Sequence, residues 1–359
     1  MVVRAVVLLL LYATVAGFAV PEFIRYPGFG SAKPEFGGES FFGDMVYGRA
    51  PKPFVTRVLV PWMIRAAGTV TPRTLRAKIE QSVRRSLTTD GKPEWLYEYP
   101  FEFTMAKNII LLFAIGFAFA LWWLARLTLD VPAAAADVIP VVVLFALPGF
   151  YGFASHLYDF PTLCLFTLGL ALIAARRPWL YAVVFVAAVL NKETALLLTL
   201  VWAISESHRH KPKQLAIGIG LQVATWGLIR GGLSLAFSGN PGNLLSLHLL
   251  RNIQMLAIPG NWFRFRAVTD WLILPAGFNV LYVLGFVAAL LALRKASRFL
   301  KDAFWMAVPV FLLIWLFANV DEMRDYYELL PVVALVLFGG LYRLMGYAPL
   351  PRSVEQTRA

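Results

Sequence analysis

Apolar runs of about twenty residues, the length of a helix that crosses the hydrocarbon core of a bilayer, alternate with short charged clusters along this chain. The pattern predicts an all-α polytopic membrane protein, with residues 1–359 forming a single transmembrane domain. The predicted membrane spans are Val3–Val20, Phe103–Leu124, Val138–Phe153, Phe160–Ala174, Trp179–Ile204, Leu215–Phe237, Trp271–Leu293, Phe304–Phe317 and Leu329–Leu344.

Composition supports this class. Hydrophobic residues make up 59% of the chain and charged residues 15%, whereas about a quarter of a soluble domain is charged. The net charge of +12 does not indicate nucleic acid, because most Lys and Arg lie in short loops between apolar runs, where the positive-inside rule expects them. The single cysteine, Cys164, excludes an intramolecular disulfide and a cysteine-based metal site.

The run Trp179–Ile204 is interrupted by polar residues at Asn191–Glu193. We interpret it as a broken pair of short helices, which gives about nine to ten transmembrane helices in all. This interpretation brings three basic segments, His208–Lys213, Arg294–Lys301 and Arg343–Arg358, to one side of the membrane, as the positive-inside rule requires. A single long, tilted span is the alternative.

The basic side is predicted to be the cytoplasm of a bacterium, so that both chain ends and the short tail 345–359 are cytoplasmic. Residues 21–101 then form a long outer (periplasmic) loop. Within it, Phe54–Ile64 mixes apolar and charged residues, which suits an interfacial amphipathic helix. Its Arg57 is a candidate for binding the lipid phosphate. A second helix is predicted from Thr71 and Pro72, a cap followed by proline. Its basic residues either bind anionic lipid or face solvent.

Several polar residues on the predicted outer side are candidates for chemistry. Asp44 lies among aromatic residues, where a carboxylate with a raised pKa acts as a general base. Its alternative role is a loop carboxylate that pairs with Arg49 or Arg57. His156 and Asp159 lie at a predicted span end, as an interfacial anchor and as a structural or substrate-hydroxyl contact.

Three further groups are candidates for binding a phosphate or a sugar. Lys192 and Glu193 interrupt an apolar run, and ionisable residues so placed are functional candidates by default; an internal ion pair is the alternative. Arg264 and Arg266 alternate with aromatic residues and suit either a bidentate phosphate contact or interfacial anchoring. The last group contains Asp321, Glu322, Arg324, Asp325 and Glu328. One of its acidic members binds a divalent metal (Mg or Mn) or sugar hydroxyls; a mutually paired charge cluster is the alternative.

Four sequence blocks resemble the GT-C superfamily of membrane glycosyltransferases, in an uncharacterised bacterial branch. They are Asp44 followed by KPFVTRVLVPW (Lys52–Trp62), HLYDFP (His156–Pro161), LNKETALLL (Leu190–Leu198) and DEMRDYYELLP (Asp321–Pro331).

The resemblance implies inverting transfer of a sugar from a polyprenyl-phosphate carrier, on the outer face, to a glycan, lipid or protein acceptor. Asp44 matches the expected base, while Lys192 and Arg264 or Arg266 would neutralise the departing lipid phosphate. Two other classes remain open: a transporter or flippase of a lipid-linked or anionic substrate, and a non-catalytic membrane subunit.

Overall fold

A computed structural model describes residues 2–25, 41–87, 98–151, 155–270 and 272–346. These residues form mostly α-helices, as predicted. Parts of the predicted outer loop and residues 347–359 of the predicted tail lie outside the described residues. The α-helices are α1 (Val2–Arg25), α2 (Phe41–Tyr47), α3 (Leu59–Val70), α4 (Arg73–Leu87), α5 (Pro100–Thr128), α6 (Ala133–Ala146), α7 (Asp159–Ala174), α8 (Pro178–Asn191), α9 (Leu197–Glu206), α10 (Pro212–Ala236), α11 (Leu249–Leu256), α12 (Val280–Leu293), α13 (Arg298–Phe304), α14 (Ala307–Phe317) and α15 (Leu330–Leu344).

Four helical stretches in the described part of the chain are long and apolar enough to cross a membrane: Val2–Ile24, Pro100–Thr128, Ala133–Phe150 and Arg298–Phe317. The apolar helices α7, α8, α12 and α15 are shorter, at 10–17 residues. Large apolar side chains are exposed on both groups of helices, for example Leu112 of α5, Val183 of α8, Leu291 of α12 and Leu312 of α14. Length, composition and this apolar surface together indicate a membrane protein.

The break in the longest apolar run is a reversal of chain direction. Helix α8 ends at Asn191, Lys192 is extended (φ −154°, ψ 143°), and a 3-10 turn at Glu193–Leu196 leads into α9. The buried Asn191 amide donates to the carbonyl of Tyr158, just before α7. In α9, Leu198 packs on Gly169, part of the way back along α7. The predicted pair of short helices is therefore a helical hairpin with its tip at Lys192.

The described parts of the basic segments predicted to share one side, His208–Lys213, Arg294–Lys301 and 343–346, lie together at one end of the helical bundle, here termed the basic end. The Arg343 guanidinium donates to the Lys295 carbonyl. His208 and Arg209 lie near enough to Asp302 of α13 to interact with its carboxylate. The opposite end, termed the cleft end, carries the hairpin tip and residues 41–87.

Residues 263–279 correct the predicted span Trp271–Leu293. Strands β1 (Phe263–Thr269) and β2 (Leu272–Asn279) form an antiparallel hairpin with register shifts, and α12 begins only at Val280. Gly277 has a positive φ of 62°, a conformation that costs other residues energy and does not occur within a helix. The Asn279 side chain caps α12 by accepting from the Leu281 N–H.

The predicted interfacial helix Phe54–Ile64 also differs in its boundaries. Phe54–Thr56 form a 3-10 turn, and α3 starts at Leu59 after a change of direction at Arg57. Helix α3 is amphipathic as predicted, since it buries Ile64 and exposes Trp62. The second predicted helix is confirmed as α4, beginning at Arg73 directly after Thr71 and Pro72. The altered boundary frees the Arg57 side chain to point into the protein, where it is buried.

Candidate functional site

A cleft of about 640 Å³ opens at the cleft end of the bundle. Its walls come from the segment before α3, the tip of the α8–α9 hairpin, the loop before α11, helix α14 and the loop between α14 and α15. Eight charged side chains line it: Lys52, Arg57, Lys192, Glu193, Glu322, Arg324, Asp325 and Glu328. The fold therefore collects charges from three distant parts of the sequence around one space.

The first charged group joins the segment before α3 to the hairpin tip. Arg57 Nη2 lies 2.6 Å from Glu193 Oε1, and Arg230 Nη2, from α10, lies 3.2 Å from Glu193 Oε2. Arg230 also donates to the hydroxyl and carbonyl oxygens of Thr56. Burial opposes the charge of Arg57, but the Glu193 carboxylate outweighs this and keeps the pKa of Arg57 above its ordinary value.

The second group links the hairpin tip to the loop before α15. Lys192 Nζ lies 3.1 Å from Glu328 Oε1 and 4.0 Å from Asp325 Oδ1. The Thr194 hydroxyl donates a short hydrogen bond to the same Glu328 oxygen. Glu328 is buried and bound from two sides, whereas Asp325 is at the edge of the pair, with 19% of its side chain exposed.

The third group surrounds Arg324. Its guanidinium binds Glu322 Oε2 at 2.7 Å, donates to the Tyr158 hydroxyl at 2.9 Å, and lies 3.8 Å from Asp159 Oδ1. Tyr158 also carries the Arg57 guanidinium over its ring, 4.1 Å from the centroid. One tyrosine therefore connects the first and third groups.

The lining of the cleft also contains apolar side chains. Among them are Leu244 and Leu245 and, from α14, Leu313, Ile314 and Phe317. Leu245 and Leu313 are also exposed on the outer surface, at 66% and 42%. The cleft thus has a charged floor and an apolar rim open to the surroundings, the arrangement that suits a molecule with a charged head and a hydrocarbon tail.

The loop before α11 is held in place by polar contacts with the end of α14. The buried Asn252 amide of α11 donates to the carbonyls of Trp315 and Ala318, and its side-chain oxygen accepts from the Val320 N–H. The His248 backbone N–H donates to the Leu316 carbonyl. These bonds fix the two parts of the cleft lining relative to each other.

Seven of the residues singled out from the sequence line the cleft: Arg57, Lys192, Glu193, Glu322, Arg324, Asp325 and Glu328. The paired charge cluster considered for the segment after Asp321 is present between Glu322 and Arg324. The Lys192–Glu193 pair considered as an alternative does not form, because Glu193 binds Arg57 and Arg230. Lys192 is likewise paired, and its partner is Glu328 rather than Glu193.

His156 and Asp159 lie behind the cleft wall rather than on its surface. Both are buried; the His156 ring stacks on Tyr158 with centroids 5.1 Å apart, and Asp159 Oδ2 accepts from the His156 backbone N–H. Asp159 also faces Arg324. Their contacts position Tyr158 and Arg324, which corresponds to the structural role considered for Asp159.

Four other predicted residues are not part of the cleft lining. Asp44 in α2 binds Arg49, with Arg49 Nε 3.0 Å from its Oδ1. Asp321 faces Arg251 of α11 at 3.5 Å. On the β-hairpin, Arg264 donates to the Asn261 side chain and Arg266 donates to the Pro148 carbonyl at 3.0 Å.

Arg230 and Lys52 were not singled out from the sequence, whereas Asp325 and Glu328 were considered only as members of the acidic cluster. Arg230 is an ionisable residue inside the apolar run Leu215–Phe237, a signal that marks functional candidates. Lys52 lies next to the predicted interfacial helix and donates to the Ser238 carbonyl at 3.2 Å. In the described part of the chain, no carboxylate lies within ion-pair distance of Lys52. Asp325 lies only four positions after Asp321, and the sequence did not distinguish the two.

Arginine and lysine side chains bind most of the carboxylates in the cleft. Three of its four carboxylates bind arginine or lysine within 3.2 Å. Among residues 2–25, 41–87, 98–151, 155–270 and 272–346, no three His, Cys, Asp or Glu side chains are arranged to hold a metal. The divalent metal considered for the acidic cluster after Asp321 stays a prediction.

Comparison with models of known protein families gives no match, and comparison with curated proteins gives none either. The geometry of the cleft is thus the basis on which a function is proposed.

Proposed function

We propose that this protein is a polytopic membrane glycosyltransferase that takes a sugar from a polyprenyl-phosphate donor. The supporting observation is the cleft itself, in which Lys52, Arg57, Lys192 and Arg324 line a space whose rim is apolar and exposed. A lipid-linked sugar phosphate has the matching chemistry: a hydrocarbon chain, an anionic phosphate and a polar sugar.

The membrane orientation in this proposal follows from charge. The basic end is cytoplasmic, because short basic loops are retained on the cytoplasmic side of bacterial membranes. The cleft end then faces the periplasm, and the exposed Leu245 and Leu313 contact the outer leaflet. A polyprenyl chain enters from the lipid between them while its phosphate reaches the charged floor.

In the proposed reaction, an acceptor hydroxyl attacks the anomeric carbon of the sugar. The bond between that carbon and the phosphate oxygen breaks, and the polyprenyl phosphate leaves with the electron pair. The cationic side chains stabilise the added charge on the leaving phosphate, a contribution that is strong in a site with restricted water. A carboxylate accepts the hydroxyl proton; Asp44 is the residue predicted for this role from the sequence.

A transporter for a similar lipid is supported less well. A translocation pathway needs polar residues toward both ends of the bundle. The described residues that line the cleft belong to the cleft end, and the basic segments contribute none of them.

The test is turnover by the purified protein in liposomes. Undecaprenyl-phosphate mannose, glucose, galactose and arabinose, each labelled in the sugar, are supplied together with a bacterial envelope extract as the source of acceptor. We expect release of free undecaprenyl phosphate and incorporation of label from one of the four donors. Label that only crosses the bilayer, with the donor intact, would support the transporter instead.

A further inference from the structure

Asp325 differs from the other cleft carboxylates in its bonding. Glu193 is bridged by two guanidinium groups, Glu322 by Arg324 and by the Asn319 amide, and Glu328 by Lys192 and the Thr194 hydroxyl. The Asp325 side chain accepts no hydrogen bond from any described residue; its nearest cation, Lys192 Nζ, is 4.0 Å away. Its oxygen lone pairs are therefore available to a ligand.

Asp325 also faces the cleft in a defined position. It lies in a 3-10 turn at Met323–Tyr326, and its backbone N–H donates to the Glu322 carbonyl. Its side chain is 19% exposed, compared with 1% for Glu328 and 8% for Glu322. Lys52 and Asp325 line the same cleft, so that a donor whose phosphate binds there places its sugar in the space that Asp325 faces.

From this geometry we infer that Asp325 is the carboxylate that accepts the proton from the acceptor hydroxyl. The inference rests on the proposed glycosyl transfer. As the hydroxyl oxygen bonds to the anomeric carbon, its proton moves to an Asp325 oxygen, and the polyprenyl phosphate departs with the electrons of the broken C–O bond. The proton later passes to water, which restores the ionised carboxylate.

The surroundings of Asp325 tune it for this task. The pKa of Asp325 is raised to about 6, and burial is the largest cause. The charges of Arg324 and Lys192 lower this pKa, and those of Glu322 and Glu328 raise it. A base is most useful when its pKa is near the working pH but low enough for it to be ionised. At pH 7 Asp325 is ionised and still basic enough to attract a proton.

The experiment compares amide variants of three aspartates in the liposome assay with labelled undecaprenyl-phosphate sugars. We expect Asp325→Asn to lower kcat on the order of 10²–10⁴-fold, while KM for the donor changes less than about threefold. Asp44→Asn tests the base predicted from the sequence. Asp270→Asn is the matched control, because Asp270 is exposed at the turn between β1 and β2, outside the cleft.

The outcomes separate the two proposals. Wild-type protein that consumes none of the four donors overturns the glycosyltransferase proposal together with this role. Wild-type turnover that survives Asp325→Asn but not Asp44→Asn overturns the role of Asp325 alone. The wild-type pH profile gives a check that needs no variant: kcat should rise with pH through about 6, and a flat profile between about pH 5 and 7.5 contradicts the inference.

Discussion

Arg57 Nη2 lies 2.6 Å from Glu193 Oε1, although the two residues are 136 positions apart. Glu193 lies just after the tip of the α8–α9 hairpin, and Arg57 lies in the segment before α3, two residues before that helix begins. Arg230 of α10 binds the other Glu193 oxygen. One carboxylate thereby joins two parts of the cleft wall, the segment before α3 and the hairpin tip, to helix α10, and its main role is to hold them together.

The first prediction concerns this carboxylate. Glu193→Gln leaves Arg57 and Arg230, both buried, facing each other without a counter charge. Removing one partner of a buried ion pair costs about 3–5 kcal/mol, and we expect the lower part of this range because Glu193 is 33% exposed. Thermal unfolding of the detergent-solubilised protein measures the loss.

Glu206→Gln is the control for that measurement. Glu206 binds Arg209 and His210 at the basic end, and both partners are about half exposed. Glu206 itself is only 11% exposed, but both of its partners reach solvent, so that removing its charge should cost less than at Glu193, where both arginines are buried. Equal losses of stability in the two variants would show that the Glu193 contacts have no special role.

Much of this arrangement was predictable, and the reasons differ from residue to residue. Lys192 and Glu193 stood out because charge within an apolar run is expensive. Arg230 carries the same signal. Which cation binds which carboxylate was not predictable, because it depends on how helices from distant parts of the chain pack; Lys192 binds Glu328 rather than its neighbour Glu193.

The β-hairpin escaped prediction for a different reason. Residues 271–293 form one continuous apolar run, and periodicity alone does not separate a buried strand from a helix in such a run. Asp321 and Asp325 show a third limit. The 3-10 turn at Met323–Tyr326 directs Asp325 into the cleft while Asp321 faces Arg251, and no sequence pattern specifies that turn.

The second prediction tests the helical hairpin in the membrane. Ser207, after α9, and Ser238, after α10, are both exposed, and the only natural cysteine, Cys164, is buried. In intact cells, a membrane-impermeant maleimide should label Ser238→Cys, whereas Ser207→Cys should react only after permeabilisation. The wild-type protein provides the unlabelled background. Labelling of Ser207→Cys from outside would mean that α9 does not return the chain to the cytoplasmic side, so that α8 and α9 would not form a hairpin in the membrane.

The third prediction follows from the pKa of Asp325. A carboxyl group whose pKa is higher in the folded state than in the unfolded state binds protons more tightly when folded. Its contribution to stability is therefore present below the unfolded pKa of about 3.9 and is lost as pH rises through about 6. Asp325→Asn removes this loss.

The variant should consequently be more thermostable than the wild-type protein at pH 7.5, with a smaller difference at pH 4.5. Melting temperatures in detergent at the two pH values measure this, with Asp270→Asn as the control that shows no such dependence. A variant that is less stable than wild type at pH 7.5 would mean that the ionised carboxylate is needed structurally by Lys192.

The last prediction separates a cation that binds substrate from cations that hold the cleft together. Arg57, Lys192 and Arg324 are each paired with a carboxylate. Among the described residues, the one polar contact of the Lys52 ammonium is with the backbone carbonyl of Ser238. Lys52 is thus the cleft cation with charge left for a donor phosphate.

Lys52→Ala should raise KM for the donor about tenfold, the equivalent of one charged hydrogen bond of about 1.4 kcal/mol, and should leave the melting temperature nearly unchanged. Lys192→Met should instead lower the melting temperature, because it leaves the buried Glu328 carboxylate without a cation; adding Glu328→Gln should recover much of that loss. The contrary result has two parts: Lys52→Ala keeps the wild-type KM, and the double variant Lys192→Met, Glu328→Gln no longer binds the donor. That result would mean that Lys192 holds the phosphate and that the substrate rearranges the ion pairs of the cleft.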